Sequence, residues 1–372
     1  MAILGMLSKS FKIDRDVLLS IVEKIVLNIR RRTQIGSDPQ YYFYILVDAM
    51  GDKIKFSAAD QLKRIEILTN KVSTHTPFIT GVSTNLLHSI LKALPSGELE
   101  ISGEVGFKLS NASSSFRLDV LEPDRFPAVY EPQEHKWKRI DFNEFFNAIN
   151  KVRYCTGDND STKHYARAVC ISRGYFMCTD GFRLSVFPNR VVEGDKETLL
   201  PSESCAALHA VFKDEDAEGF MDFDDSTVYL SKGGVYVALR KVAGDAPNFV
   251  SVLPTGPCTS CVIPRDAFRD ALKRIEIIAK DGERFLGVDL LVSESGLLAT
   301  ANRGGSSAKE IIPITYSGAS ISIRANLVFV REAVRSLQES EVVLEIRGKQ
   351  LAIVLTDKKG EHRNVILPLA DS

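Results

Sequence analysis

The chain has 372 residues, enough for two or three domains. With 44% hydrophobic and 26% charged residues and a formal net charge of −1, it has the makeup of an ordinary globular protein. That charge excludes a uniformly basic nucleic-acid binder but leaves room for basic residues sorted onto one face. Apolar runs fall far short of the roughly 20 residues that span a bilayer. Met1–Ser8 lacks a basic flank and a clear cleavage site, so a cytoplasmic protein is expected.

In chain order, the first predicted helix lies in Ile13–Ile25. The same 13-residue pattern returns without a gap at Ile140–Val152 and Ile263–Ile275. Leu18, Phe145 and Phe268 coincide, as do Val22, Ile149 and Leu272, and Ile25, Val152 and Ile275. This is an apolar stripe at i, i+4, i+7, one buried helix face per copy. Lys24, Lys151 and Arg274 coincide beside the stripe and are expected to turn away from it. Each copy continues with a strand ending at Ala59-Asp60, Thr179-Asp180 or Ala301-Asn302. A second helix follows over 83–94, 202–212 and 325–337, with Ser83 or Thr84 and Ser202 as expected N-caps. Alternating strands come next, including Leu99–Ile101, Val228–Leu230 and Val342–Ile346. Closing strands lie at 116–120, 235–239 and 364–367. Turn-rich linkers near 131–134 and 254–257 divide the chain into three α+β domains, 1–132, 133–255 and 256–372, each of two helices plus antiparallel sheets.

Three similar domains in a row can curve into an arc, and two arcs meeting head to tail close a ring. A ring holds DNA by topology and needs only mildly basic inner walls facing the phosphates. Arg265, Arg269 and Lys273 form a basic stripe at i, i+4, i+8. Arg331 and Arg335 repeat the pattern on the second helix of the third copy, and Arg30-Arg31-Arg32 close the first helix. The competing reading is a set of solvated helix faces with interspersed Asp and Glu. Five of the six cysteines read as small buried residues, and Cys258-x-x-Cys261 lacks the second ligand pair of a zinc site. Nucleotide-phosphate, zinc-protease and serine-hydrolase motifs are absent, so no catalytic residue, metal or cofactor is expected. His88 and His209 read as surface or boundary residues, and Asp180 as a turn cap.

Cys178-Thr-Asp-Gly-Phe-Arg-Leu184 resembles the Thr-Asp-Gly-His-Arg-Leu signature of the bacterial DNA polymerase III β sliding clamps. Ser113–Val120 followed by Asp124–Pro127, then Ala246–Pro254, then Val365–Leu369, resemble further segments of that family in its order, covering roughly residues 10–369. The resemblance implies three repeated DNA-clamp domains per chain in a head-to-tail dimeric ring. It implies a clamp that encircles duplex DNA and tethers the replicative polymerase, giving processivity. Implied partners are double-stranded DNA, an ATP-driven clamp loader, polymerases and repair proteins engaging through short linear peptides, and a second copy of the chain, without membrane or cofactor. Carried over residue by residue, the peptide pocket comprises Ala166, Thr179, Gly181, Phe182, Arg183, Leu184, Pro247, Val252, Val365, Leu367, Pro368 and Leu369. The list is mostly apolar with one Arg as polar anchor. DNA contacts carried over are Arg30, Arg31, Arg32, Lys92, Lys163, His164 and Tyr165, beside the stripe Arg265, Arg269 and Lys273. Phe182 replaces the signature His, Ala166 a larger Leu, and Leu367 and Leu369 methionines, while the chain ends Ala370-Asp-Ser372. These departures mark a divergent member and bear on partner choice. The alternative is a clamp-like peptide-binding scaffold or decoy that no longer encircles DNA.

Overall fold

The computed structural model describes residues 9–29, 40–50, 53–70, 72–103, 106–126, 134–157, 163–192, 197–212, 217–279 and 287–370. Elements follow one order three times. The first copy holds β1 (Ser10–Asp14), α1 (Arg15–Asn28), β2 (Tyr44–Asp48), β3 (Ile54–Ala59), β4 (Lys63–Thr69), β5 (Val72–His75), β6 (Ile79–Ser83), α2 (Thr84–Ala93), β7 (Glu98–Ser102), β8 (Phe107–Ser110), β9 (Ser115–Leu118) and β10 (Val120–Leu121). The second holds β11 (Lys138–Asp141), α3 (Phe142–Val152), β12 (Ala168–Ser172), β13 (Tyr175–Thr179), β14 (Arg183–Pro188), β15 (Thr198–Pro201), α4 (Ser202–Phe212), β16 (Glu218–Phe223), β17 (Thr227–Lys232) and β18 (Val235–Arg240). The third holds β19 (Thr259–Pro264), α5 (Arg265–Ala279), β20 (Gly287–Ser293), β21 (Gly296–Arg303), β22 (Ser306–Ile312), β23 (Thr315–Ser317), β24 (Ile321–Asn326), α6 (Leu327–Ser336), β25 (Glu341–Ile346), β26 (Ile353–Thr356) and β27 (Arg363–Ile366).

Two compact units result. One comprises the residues up to Asn143 with Glu203–Lys241; the other comprises Glu144–Ser202 with the residues from Val242 onward. The first unit carries a five-stranded sheet, β5-β1-β7-β8-β9, and a nine-stranded sheet, β10-β6-β2-β3-β4-β18-β17-β16-β11. The second carries a nine-stranded sheet, β15-β12-β13-β14-β27-β26-β25-β19-β23, and a four-stranded sheet, β22-β21-β20-β24. All pairings between these strands are antiparallel, and each nine-stranded sheet joins two copies, through β4·β18 in one unit and β14·β27 in the other.

The aligned 13-residue segments begin one element earlier than the sequence suggests. Ile13, Ile140 and Ile263 are the buried next-to-last residues of β1, β11 and β19, and the helix starts two residues after each. The stripe behaves as expected: Leu18, Val22 and Ile25, then Phe145, Ile149 and Val152, then Phe268, Leu272 and Ile275, are all 0–1% exposed. Asp14 caps α1, accepting from the N–H groups of Asp16 and Val17, and Asn326 caps α6, accepting from Val328 and Phe329. Ser83 stands at the expected N-cap of α2 but makes no side-chain cap bond, whereas Ser202 is already inside α4, its hydroxyl 3.0 Å from that of Thr156. β21 runs through Asn302 to Arg303, so the turn after the third copy's strand falls on Gly304-Gly305.

Two clasps join first to second helices. The Arg15 guanidinium donates to the Leu94 carbonyl at the end of α2. Arg265, in the matching position of α5, donates to the Leu337 and Gln338 carbonyls after α6, at 3.1 and 2.9 Å. Both satisfy carbonyls that a helix end leaves open. The middle copy has Phe142 there instead. Its ring packs against Phe212 (centroids 4.9 Å apart) and over Gly219, where a Cβ would lie 2.6 Å from the ring. Opposite the matching isoleucines Ile13 and Ile263, the other copies place buried Leu99 and Val342 where the middle copy pairs Ile140 with Gly219.

Candidate functional site

The site grows from one turn. After β13, Asp180 Oδ1 accepts from the N–H groups of Phe182 (2.9 Å) and Arg183 (3.0 Å), and Thr179 Oγ1 accepts from Gly181 N (3.0 Å). Asp180 is thus the expected turn cap. Gly181 takes φ +93°, which a side chain would strain. The turn lifts Phe182 to 60% exposure, and Leu367 N donates to its carbonyl at 2.9 Å. Val252 (63% exposed) and Leu367 (47%) stand with it around a groove of about 330 Å³. Its walls are Thr179–Leu184 without Asp180, Pro247–Phe249 with Val252, Val365 and Leu367, together with Lys163, Tyr165 and Ala352. Three large apolar side chains exposed around one concavity form the kind of surface that marks a binding site.

Most of the carried-over pocket residues meet here: Thr179, Gly181, Phe182, Arg183, Leu184, Pro247, Val252, Val365 and Leu367. Three do not line the groove. Ala166 is 1% exposed, its carbonyl accepting from Gly157 N. Pro368 pairs with Ala325, and Leu369 N donates to Arg324 O, so these two residues are pinned alongside β24. Arg183 is not the anchor its chemistry suggested. Its guanidinium turns inward, bonding Asp180 Oδ2 (2.9 Å), the Tyr154 carbonyl (2.9 Å) and Glu332, and lies 4.2 Å over the Phe329 ring. It braces the turn, and the groove is left essentially apolar with Lys163 at its wall. Asn248, Phe249 and Ala352 were missed. Phe249 follows Pro247 in an apolar run, the one available signal; Ala352 reaches the site only through the pairing of β26 with β27.

The residues expected at DNA sort unevenly. Tyr165 stacks edge-on against Phe249 and, with Lys163, lines the groove, so its ring belongs to that wall. His164 is held by the Asp245 carbonyl, 2.9 Å from Nε2. Lys92 is exposed in the last turn of α2, 3.9 Å from Glu23. Arg30, Arg31 and Arg32 lie outside the described residues. On α5, Arg265 is committed to the carbonyls after α6, while Arg269 pairs with Asp266 (2.9 Å) and Asp270 (3.0 Å), and Lys273 with Asp270 (3.5 Å). The stripe is a ladder of alternating charge. Arg274 pairs with Glu310. Lys151, expected beside it on the surface, is half-buried 4.2 Å over the Phe187 ring, and burial lowers its pKa. His88 is buried against α1, 3.8 Å from Glu23, whereas His209 is exposed.

All six cysteines are free thiols, and burial pushes those of Cys155, Cys170 and Cys261 up to about 12. Among the described residues no helix is long and apolar enough to cross a membrane.

Solved structures with this fold are sliding clamps. That of the DNA polymerase sliding clamp from Bacillus subtilis superimposes with a TM-score of 0.90 at 19% identity, covering 98% of this chain and 100% of the other. The DNA polymerase III subunit beta from Pseudomonas aeruginosa gives 0.89 at 20%, covering 97% and 100%. The beta sliding clamp of Staphylococcus aureus is 21% identical over 380 residues (96% of this chain, 98% of its own), and that of Rickettsia bellii 25% over 286 (71% and 74%). The architecture is therefore that of a sliding clamp. Residues 9–130 match the N-terminal domain, and residues 250–370 the C-terminal domain, of the DNA polymerase III beta subunit, together more than half of the chain. The chain belongs to the DNA polymerase III beta subunit family, as a divergent member.

Proposed function

We propose that this chain is a non-catalytic, cytoplasmic processivity clamp: three domains, 1–132, 133–255 and 256–372, that pair head to tail with a second copy to encircle duplex DNA. Opened by a clamp loader, it holds polymerases and repair proteins through short peptides seated in the groove at Phe182.

Strand pairing carries this reading. In each copy the fourth strand of the core order (β4, β14, β22) and the closing strand (β18, β27, β9) are candidates for joining. β4 takes β18 and β14 takes β27, each making a sheet of nine. One strand of each kind is left over: β22 edges the four-stranded sheet and β9 the five-stranded one. Joining β22 of one chain to β9 of another makes a third sheet of nine and satisfies both edges, which exposed would invite uncontrolled pairing. Because donor and acceptor edges differ, the contact is heterologous and closes only as a ring. Copying the internal register (Arg64↔Ala238, Leu184↔Val365) sets Ala308 opposite Arg117 of the partner. Basic groups facing the phosphates then add to topological retention.

The test is a double variant, Arg117→Cys with Ala308→Cys, oxidised and run under denaturing conditions. A covalently closed two-chain ring that stays on nicked circular DNA and slides off linear DNA is expected. A monomer at every concentration, or equal retention on both DNAs, overturns the ring and favours the scaffold.

A further inference from the structure

We propose that a second pocket, adjoining the groove, binds a carboxylate of the partner peptide; this rests on the peptide reading of the groove. Leu344, Ile346, Ile353, Leu355 and Ile366 turn one face of β25-β26-β27 into the core. By the two-residue alternation of strands, Glu345, Val354, Thr356, Arg363 and Val365 share the opposite face, with Arg347 just past the end of β25. These residues, closed over by Leu253 and Pro254, line a pocket of about 130 Å³. Val365 lines the groove as well, so the two concavities share a wall.

Arg347 sets the chemistry. Its side chain is only 11% exposed, and Nη2 donates to Glu345 Oε2 at 2.7 Å. Nε and Nη1 are shielded from solvent and have no protein acceptor among the described residues. Desolvated donors without an acceptor are costly, and of the five N–H groups in the guanidinium plane Glu345 engages only those of Nη2. Arg363 and Thr356 lie on the same wall, the Arg363 Nε donating to the Gly360 carbonyl at 2.9 Å and the Thr356 hydroxyl to Asp357 Oδ1 at 3.5 Å. Among the residues that line the pocket, two guanidiniums face the one carboxylate of Glu345, a single excess positive charge. That suits a monoanionic carboxylate, whereas a doubly charged phosphate would also face Glu345. The volume admits a carboxylate and the methylene that carries it, an acidic side chain or a chain terminus.

Two measurements on the full chain test this. The first follows the Arg347 Nε–H resonance, assigned by its loss in Arg347→Gln, during titration with sodium acetate and separately with inorganic phosphate. Saturable movement with acetate, weaker with phosphate, is expected; no movement, or tighter phosphate binding, overturns the pocket's assignment. The second measures affinity for leucine-anchored peptides carrying Asp or Asn at successive positions, ending as free acid or amide. One placement of the carboxylate should tighten binding about tenfold, as expected for charge-assisted hydrogen bonds, and Arg347→Gln should erase that gain while leaving the amide peptides unchanged; the free acid and amide series separate a terminus from a side chain. Acetate binding without any gain from peptide carboxylates refutes the partner assignment. If no leucine peptide binds, the groove reading fails, and with it the partner assignment, while the acetate titration still judges the pocket.

Discussion

The turn at Asp180 and the turn at Asp60 share a hydrogen-bond pattern and little else. In both, an Asp Oδ1 accepts from residues two and three ahead: Phe182 and Arg183, or Leu62 and Lys63. In both, the turn's carbonyl receives a neighbouring copy's N–H, Leu367 N to Phe182 O and Arg240 N to Leu62 O. Side chains then diverge. Gly181 takes a positive φ where Gln61 does not, and Arg183 stands where the other turn has Lys63. The groove of about 330 Å³ has as its counterpart a hollow of about 70 Å³ lined by Tyr42, Phe43, Asp60–Lys63, Glu203 and Ser204. Behind the turns, the register pairs buried Ile65 with Val237 in one unit and buried Ser185 with Asn364 in the other. Ser185 bonds Asn364 (2.7 Å) and His362 (3.0 Å), and Tyr154 bonds Asn364 (2.6 Å). The fold thus repeats a frame, and one copy of that frame has been given a polar brace and an apolar mouth.

The sharpest way to break this comparison is to remove the brace. Arg183→Met strands the Asp180 and Glu332 carboxylates, and because Glu332 is a third exposed the loss should be about 3 kcal/mol in urea unfolding. Lys63→Met should cost less than about 1 kcal/mol. Equal losses would mean that both turns are braced alike.

Acid should act on the same side. Burial, and then the Lys151 charge, lower the His362 pKa from 6.5 to about 4. The unfolded chain therefore takes the proton first. The stability is complete above about pH 6.5 and declines as pH falls towards 4. Between pH 7.5 and 5 this amounts to about 2 kcal/mol, and a His362→Leu chain should lack that portion of the slope. An unchanged slope would place the acid sensitivity elsewhere.

At the mouth, Phe182→Ala and Leu367→Ala should each weaken peptide binding roughly tenfold, as hot-spot residues do. Their thermal midpoints should stay near that of the parent, since both are exposed. Intact affinity by calorimetry would remove the groove from the binding site. Smallest of all, Arg269→Glu with Lys273→Glu should lower retention on DNA only a few-fold and flatten its salt dependence, because Asp266 and Asp270 already pair with both. A collapse of retention would make that ladder the main DNA contact.

The sequence made the repeat visible because a buried helix face must recur at its own period, and Leu18, Phe145 and Phe268 keep it. The turn cap was equally legible, since Asp180 acts on its immediate neighbours. What stayed hidden depends on distant partners. Arg183 reads as a groove anchor until Glu332, on α6, draws it inward. His88 reads as a surface residue until α1 packs on it. Tyr165 and Ala166 are adjacent, and the single helical turn at 164–167 sends Tyr165 to the groove and buries Ala166, whereas the resemblance implied Ala166 in the pocket and Tyr165 at DNA. Ser83 and Ser202 have the right chemistry for caps, but Ser83 holds the N-cap position without a side-chain bond and Ser202 falls inside α4.

The middle copy's Phe142 has one more consequence, and it concerns which sequences the family can explore. Where Arg15 and Arg265 clasp a helix end, Leu99 and Val342 occupy the space behind; where Phe142 fills that space, the residue behind is Gly219. Neither position can drift alone: Gly219→Val would drive a side chain into the ring, and Phe142→Arg would leave a void above the glycine. The two should change together across relatives, a paired inheritance in the middle domain that the outer domains escape.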